Sequence, residues 1–454
     1  MNRARILFTS KSRPCSSLES FMTLRIVIIG NGVAGTTCAL AARRRDPDAS
    51  ITIIGGETPF FFSRTALMYA FMERMTRREL EPYERDVYRR MRIELVHDWV
   101  REIDLASRVV HTETRQKLPY DRLVLALGSK PRALDCVGVD EVRSGLVNFV
   151  SMQDLDACEG SVPRAKHAVV VGGGLIGIEL VECLRHHRVP TTFLLRDPYY
   201  WPAALGPEEA ALVDKEFRRI GVDVRYGETI TAIDTDSDGA VRSVDTTAGD
   251  TLACDLLGVC VGVEPRLELL RSGDAGVEVL TGIVVDETFL TSAPDVFAIG
   301  DCAEIRRRDG TSQIETLWYS AKRHASLVGA HNLFGDGLFD APPVFYNSSK
   351  FVNLEYTTVG DLHDHARGAP SILFEDTRRA MTIRIVHDGD VFLGLTAVGS
   401  RWDHELLQRW VQQRRSASFV EQNLASASFD VEFGRPAWRR LKRREFSPSA
   451  TWTG

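Results

Sequence analysis

Two glycine-rich segments, each closing a short apolar run, constrain this chain more than any other feature. Gly30-Asn31-Gly32-Val33-Ala34-Gly35 follows the run 24–29, and Gly172-Gly173-Gly174-Leu175-Ile176-Gly177 follows the run 168–171. Where a strand runs through GxGxxG into a helix, the first glycine makes a tight turn and the second admits a pyrophosphate close to the backbone. The third lets helix and strand pack closely. The diphosphate then faces free N–H groups at the helix N-terminus, where the macrodipole favours negative charge. Ordinary turn glycines also produce single matches. Two matches, both in strand-to-helix context, predict two βαβ units and two bound dinucleotides.

The length of 454 residues suits about three domains with their own cores. A formal charge of −6 with 26% charged residues leaves no basic excess to neutralise nucleic-acid phosphates. The eight cysteines stand singly with no CxxC pair, so neither a zinc site nor a dithiol motif is indicated, and a reducing, cytoplasmic setting is expected. No run approaches the roughly eighteen apolar residues of a membrane helix, and the chain is expected to be soluble. Residues 1–22 are rich in Arg and Ser without a secretory apolar core. They are expected to be a disordered extension or a misassigned start, with a basic targeting peptide as the other reading.

Along the chain, strand patterns at 24–29 and 51–54 flank a helix at 33–45, and a helical region is expected near 76–92. A strand at 93–96, a polar hairpin around 100–120 and a buried strand ending at Leu127-Gly128-Ser129 follow. The second βαβ unit occupies about 167–195. From about 340 the pattern changes to short alternating strands at 351–359, 380–386 and 391–397, then an amphipathic helix at 402–413. This predicts a separate α+β domain.

The ordered segments GNGVAG, ALGSKPR, GGGLIGIE, GVGVEPR and TSAPDVFAIGDCAE resemble those of the FAD-dependent pyridine-nucleotide oxidoreductases. That group includes rubredoxin and ferredoxin reductases, the flavin half of nitrite reductase, coenzyme A disulfide reductases and NADH oxidases. The resemblance covers roughly 24–330. It implies an α/β protein with two Rossmann-like dinucleotide-binding domains: a discontinuous FAD domain (23–145 and 266–338), an inserted NAD(P) domain (146–265), and a C-terminal interface domain (339–454).

The resemblance also assigns roles. Gly30, Gly32, Val33, Ala34 and Gly35 would hold FAD, and Gly172, Gly174, Leu175, Ile176 and Gly177 the nicotinamide donor. Asp301, after Gly300, would hydrogen-bond the ribityl chain; a helix N-cap is the plain alternative. Glu57 is the candidate for the adenosine ribose, although it would have to reach back past Gly55 and Gly56, and it can equally be a loop carboxylate. Val100 would present backbone to the adenine. Ala126, Gly128 and Arg132 belong to the small-residue turn passing the cofactor, and Gly262 to its counterpart in the second unit. Glu179, two residues past Gly177, would orient the nicotinamide beside the flavin, or merely complement the helix N-terminus.

At the end of 191–195 an NADH enzyme places an acid, whereas this chain has Leu195 and then Arg196. Without a carboxylate there a 2′-phosphate is not repelled, and Arg196 can pair with it. Arginine also follows the acid in many NADH enzymes, so NADH and NADPH both stay open.

In the cysteine-dependent branches of the group, a redox cysteine occupies the slot held here by Thr65 or forms a CxxxxC pair. Threonine forms neither a sulfenate nor a mixed disulfide. Cys38 reads as a packing residue on the first helix. The chain more closely resembles the branch in which a Lys or Arg at the position of Arg64 lies near the flavin. This implies that Arg64 stabilises the anionic reduced form, with pairing to Glu179 left open and a surface arginine as the alternative. Electrons then leave from the flavin edge to a rubredoxin- or ferredoxin-type iron–sulfur protein. A quinone, another small acceptor and a nitrite-reductase-like arrangement are alternatives, as is an NADH-sensing flavoprotein like the apoptosis-inducing factors. Trp318 and Tyr319 would lie near the rings or simply pack.

No metal-like cluster is apparent among the eleven histidines, and His186-His187 reads as a solvated helix end. The basic run 438–444 reads as a solvated tail, with docking of an acidic partner or of an anionic membrane surface as alternatives. Trp402, Leu406, Leu407 and Trp410 recur near helical spacing and suit core packing or a homodimer contact.

Overall fold

A computed structural model of the chain describes residues 23–271, 276–360, 368–429 and 441–447. The extension expected at 1–22 lies outside them. In chain order, the first unit comprises β1 (Arg25–Ile29), α1 (Val33–Arg45), β2 (Ser50–Ile54), β3 (Ile93–Val96) and β4 (Arg122–Leu125). The second comprises β5 (Ala168–Val171), α2 (Leu175–His186), β6 (Thr191–Leu195), α3 (Pro207–Arg219), β7 (Val222–Tyr226) and β8 (Leu256–Val259). The chain then returns to the first unit with β9 (Val296–Ala298) and α4 (Trp318–Ala330).

These strands form two parallel sheets, ordered β9-β4-β1-β2-β3 and β7-β6-β5-β8 with Leu146–Val147 at its edge. Sheets covered on both faces demand near-continuous apolar strands. The central strands supply them: Ile26, Val27 and Ile28 in β1 and Val169, Val170 and Val171 in β5 are all buried. Thus the expected architecture of two Rossmann-like units is present. Helix α4 lies against α1 because Gly329 leaves room; a Cβ there would stand 2.4 Å from the Cys38 carbonyl oxygen. Cys38 is itself fully buried in that seam.

The helix expected near 76–92 is instead a 3-10 turn, Arg77–Leu80, and a short helix, Asp86–Arg90. Pro82 between them lacks the N–H a continuous helix needs. The polar hairpin near 100–120 carries a third strand, giving Val100–Asp104, Val109–Thr112 and Lys117–Pro119.

A six-stranded antiparallel sheet forms the C-terminal region, in the order Tyr346–Phe351, Leu354–Gly360, Val391–Val398, Met381–Asp388, Ser371–Asp376, Lys442–Phe446. Helices His404–Gln412 and Ala417–Ala427 pack on it through Leu407, Trp410, Val420 and Leu424.

Two expectations on charged segments are corrected. The described part of the basic run is no solvated tail: Lys442–Phe446 is an edge strand, with Arg443 bonded to Glu421 at 2.8 Å and Arg444 to Glu375 at 2.9 Å. Residues 438–440 lie outside the described residues. His187 is likewise not a solvated helix end, since its Nε2 meets the Phe71 carbonyl at 2.6 Å and its ring packs on Phe71. No helix among the described residues is long and apolar enough to cross a membrane.

Candidate functional site

The two fingerprints fold alike, glycine by glycine. Gly30 has φ +118° and Gly172 φ +112°, the left-handed region open to glycine. A Cβ would strike the Ala126 carbonyl oxygen at 2.0 Å in the first case and that of Cys260 at 2.1 Å in the second. Gly35 and Gly177 seat their helices on the turn: a Cβ would come within 1.9 Å of the Gly30 carbonyl oxygen and 2.1 Å of the Gly172 carbonyl oxygen. Gly32 and Gly174 differ, because a Cβ at either meets nothing within 4 Å. Protein packing therefore does not demand glycine at these two positions, whereas a ligand lying on the backbone would. Both are helix N-caps without a side-chain cap, and neither first turn holds an acid, so both helix ends suit an anion.

Both open into one cleft of about 1400 Å³. Val33 and Ala34 from the first cradle and Leu175 and Ile176 from the second line it, together with Ala126, Gly128, Gly262 and Gly300. Two dinucleotide cradles facing one cavity fit FAD and a nicotinamide dinucleotide. Val100 and Arg132 do not line it. At the expected adenine end Trp99 lines the wall, with its ring so close to Gly56 that a Cβ there would stand 2.2 Å away. Arg132 is exposed, and its N–H donates to the Gly262 carbonyl at 3.0 Å.

Asp301 points into the cleft from the turn Gly300–Cys302 and accepts from Ser129 Oγ at 2.8 Å. Burial raises its pKa, opposed by Ser129 and by the nearby Arg64 cation. Ser129 joins the site here without a sequence motif of its own, its one signal being its place directly after Gly128. Glu179 also lines the cleft, and among the described residues its carboxyl makes no ion pair. Burial, reinforced by the Glu182 charge, pushes it up to about 8, so it holds its proton at neutral pH.

Arg64 lines the cleft but does not pair with Glu179. It forks onto Glu57, Nη2 to Oε2 at 2.7 Å and Nη1 to Oε1 at 3.1 Å, donates to the Val150 carbonyl, and lies over the Phe62 ring. Glu57 is seven residues away on the same loop and presents two oxygens to a planar guanidinium. Glu57 also accepts the Met152 N–H at 3.0 Å, so the carboxylate expected at the adenosine ribose is already engaged.

Trp318 opens α4, lines the cleft and stays 37% exposed, with Tyr319 edge-on at 5.3 Å and Lys322 Nζ 4.5 Å from its ring. Arg196 is exposed at the end of β6 with Asp197 beside it at 3.8 Å, and both line the cleft. Asp197 is a carboxylate two residues past Leu195, close to where an NADH enzyme places its acid.

Thr65 faces the cleft and stands 3.1 Å from Ser63 Oγ. The seven described cysteines are unpaired. Burial pushes the thiols of Cys38 and Cys158 up to about 12 and that of Cys302 up to about 11, and raises Cys260 further. None of these is a thiolate at neutral pH. Glu315, His324 and Asp340 converge within 4.8 Å, but Arg323 forks between the two carboxylates at 2.7 and 2.9 Å and supplies the positive charge a metal would bring.

Comparison with known proteins agrees. The family model described as pyridine nucleotide-disulphide oxidoreductase matches residues 24–325. The ferredoxin–NAD(+) reductase component of the p-cumate 2,3-dioxygenase system of Pseudomonas putida is 30% identical, over 86% of this chain and 94% of that protein. A rubredoxin-NAD(+) reductase of Pseudomonas putida is 28% identical over 75% of this chain and 88% of its own. Among solved structures, the ferredoxin reductase for the CYP199A2 system from Rhodopseudomonas palustris superposes with a TM-score of 0.74 at 25% identity, covering 83% of this chain and 91% of that one. Its fold, paired cradles and relatives place this chain in the pyridine nucleotide-disulphide oxidoreductase family, as an FAD-dependent NAD(P)H oxidoreductase.

Proposed function

We propose that the chain passes electrons from a nicotinamide dinucleotide to an iron–sulfur protein of ferredoxin or rubredoxin type. The observation that carries this reading is Thr65 at the cleft, with buried, protonated thiols elsewhere. Among the described residues, no thiol is then placed to relay electrons between cofactor and acceptor. Relatives named as ferredoxin and rubredoxin reductases support it. FAD, when bound, supplies hydride acceptance from the nicotinamide and onward electron donation.

The protein's own residues bind and orient. The N-termini of α1 and α2 hold the two diphosphates, and Asp301, fixed by Ser129, anchors the ribityl chain. Protonated Glu179 offers a neutral donor at the ring junction. Arg64, held by Glu57, keeps a cation near the flavin. We assign 23–145 and 266–338 to the flavin unit, 146–265 to the nicotinamide unit and 339–454 to the interface domain. Unpaired cysteines support a reducing, cytoplasmic setting.

Steady-state turnover with purified ferredoxins and rubredoxins should exceed turnover with soluble quinones at least about tenfold in kcat/KM. Faster turnover with quinones would overturn the acceptor assignment.

The end of β6 supports NADPH as donor, since Leu195 carries no charge and Arg196 is 86% exposed. Arg196→Leu is then expected to lower kcat/KM for NADPH about tenfold while changing that for NADH about twofold or less, since it deletes one charge-assisted contact. A tenfold wild-type preference for NADH would show that Asp197 governs the site instead.

A further inference from the structure

Behind Asp301 lies a buried polar network that the cofactor chemistry does not directly use. His324, on α4, is fully buried. Its Nδ1 faces the N–H of Gly300 at 3.4 Å, the residue whose left-handed turn, φ +73°, aims Asp301 into the cleft. Its Nε2 lies 3.5 Å from Glu315 Oε2 and 3.1 Å from Arg323 Nη2. Arg323 Nη2 can only donate, and its two protons have Glu315 Oε2 at 2.7 Å and Asp340 Oδ2 at 3.2 Å as acceptors. Nε2 is therefore free to carry the ring proton toward Glu315, while Nδ1, which faces only the Gly300 N–H, accepts from it. Glu315 is bonded to Arg323 at 2.7 Å, and Arg323 to Asp340 at 2.9 Å. The Asp340 carboxylate is almost fully buried, and the residue lies on the segment leading into the C-terminal sheet.

A second observation singles out the same ring. Phe289 packs on His324 with centroids 4.4 Å apart, yet its backbone sits at φ +65°, a left-handed conformation costly for a bulky side chain. Phe289 is fully buried, and its turn is held by Asp286, whose carboxylate accepts from the N–H groups of Thr288 and Leu290. The fold therefore tolerates a strained turn that keeps an aromatic face against the imidazole.

We propose that His324 is a positioning residue for the flavin: accepting the Gly300 N–H, it fixes the turn that presents Asp301, and Glu315, Arg323 and Asp340 set its orientation from the C-terminal side. The proposal deepens the flavin assignment, and FAD binding by the wild-type chain tests that assignment separately. Removing the acceptor leaves the buried Gly300 N–H unpaired and frees the turn. Removing it without loss of shape isolates that effect.

The experiment follows FAD dissociation from full-length holoprotein, together with the visible flavin spectrum. His324→Leu should loosen FAD about tenfold or more and alter the flavin bands. His324→Asn, whose Oδ1 can accept in place of Nδ1, should stay within about threefold of wild type. A merely structural role for the ring predicts that both variants lose thermal stability while FAD affinity and spectrum hold. His324→Leu binding FAD like wild type, or His324→Asn as loose as His324→Leu, overturns the proposal. Should His324→Leu fail to fold, Glu315→Gln, which removes the anionic acceptor that holds the Nε2 proton, is expected to loosen FAD about threefold or more, and unchanged affinity there overturns it.

Discussion

A glutamate placed at Gly32 is expected to give folded but colourless protein, whereas a glutamate at Gly174 should give yellow protein that reacts poorly with NAD(P)H. Neither substitution is blocked at its root, because a Cβ at either position meets nothing within 4 Å. Each carboxylate would instead stand at a helix N-terminus, where one diphosphate is expected to lie. Two like charges about 4 Å apart at an effective dielectric near 20 repel by about 4 kcal/mol, and this exposed mouth reduces that. A loss of affinity of about a hundredfold remains a fair expectation. Gly32→Glu should abolish FAD retention through purification. Gly174→Glu should retain FAD and raise KM for the nicotinamide dinucleotide. The opposite pattern would exchange the two cradles, and equal effects from both variants would mean that neither separates the cofactors.

Arg384→Ala is expected to destabilise the protein by about 3–5 kcal/mol, because it strands a buried charge. The Arg384 side chain is 2% exposed and bonds Glu209 at 2.8 and 3.0 Å and Glu208 at 2.7 Å. Glu209 is wholly buried. Both glutamates lie at the start of α3, just after the loop bearing Arg196, while Arg384 lies in the C-terminal sheet. The ion pair therefore ties the second parallel-sheet unit to that sheet. Thermal unfolding should show the loss, and the double change Arg384→Met with Glu209→Leu should restore most of it. An apolar pair leaves no fully buried charge uncompensated, and Glu208, which is part-exposed, keeps Arg444 at 3.6 Å. An Arg384→Ala midpoint within a degree of wild type would contradict this.

The paired cradles were legible because three constraints coincide in six residues: a left-handed turn, an open backbone and a seated helix. Apolar runs before each fingerprint fixed the central strands for the same reason, as both faces of each sheet are covered. Partners chosen by loop geometry were not legible. The family resemblance points Arg64 toward the flavin and leaves Glu179 open as its partner, but Glu57 shares its loop and presents a bidentate carboxylate. His187 and Arg443 read as solvated because charge patterns do not reveal which neighbour arrives from a distant segment, here Phe71 and Glu421. The C-terminal sheet was half-visible: Leu354–Gly360, Met381–Asp388 and Val391–Val398 alternate clearly, whereas Lys442–Phe446 is an edge strand dense in charge, the composition that also protects sheet edges.

The most direct test of the central claim is an anaerobic reductive titration of the purified holoprotein with NADPH, following the flavin absorption band. Without a redox-active thiol, one hydride equivalent per chain should bleach the band completely and further donor should accumulate unreacted. Uptake of a second equivalent per chain would reveal a thiol couple and contradict the account, as would a colourless protein that FAD cannot reconstitute.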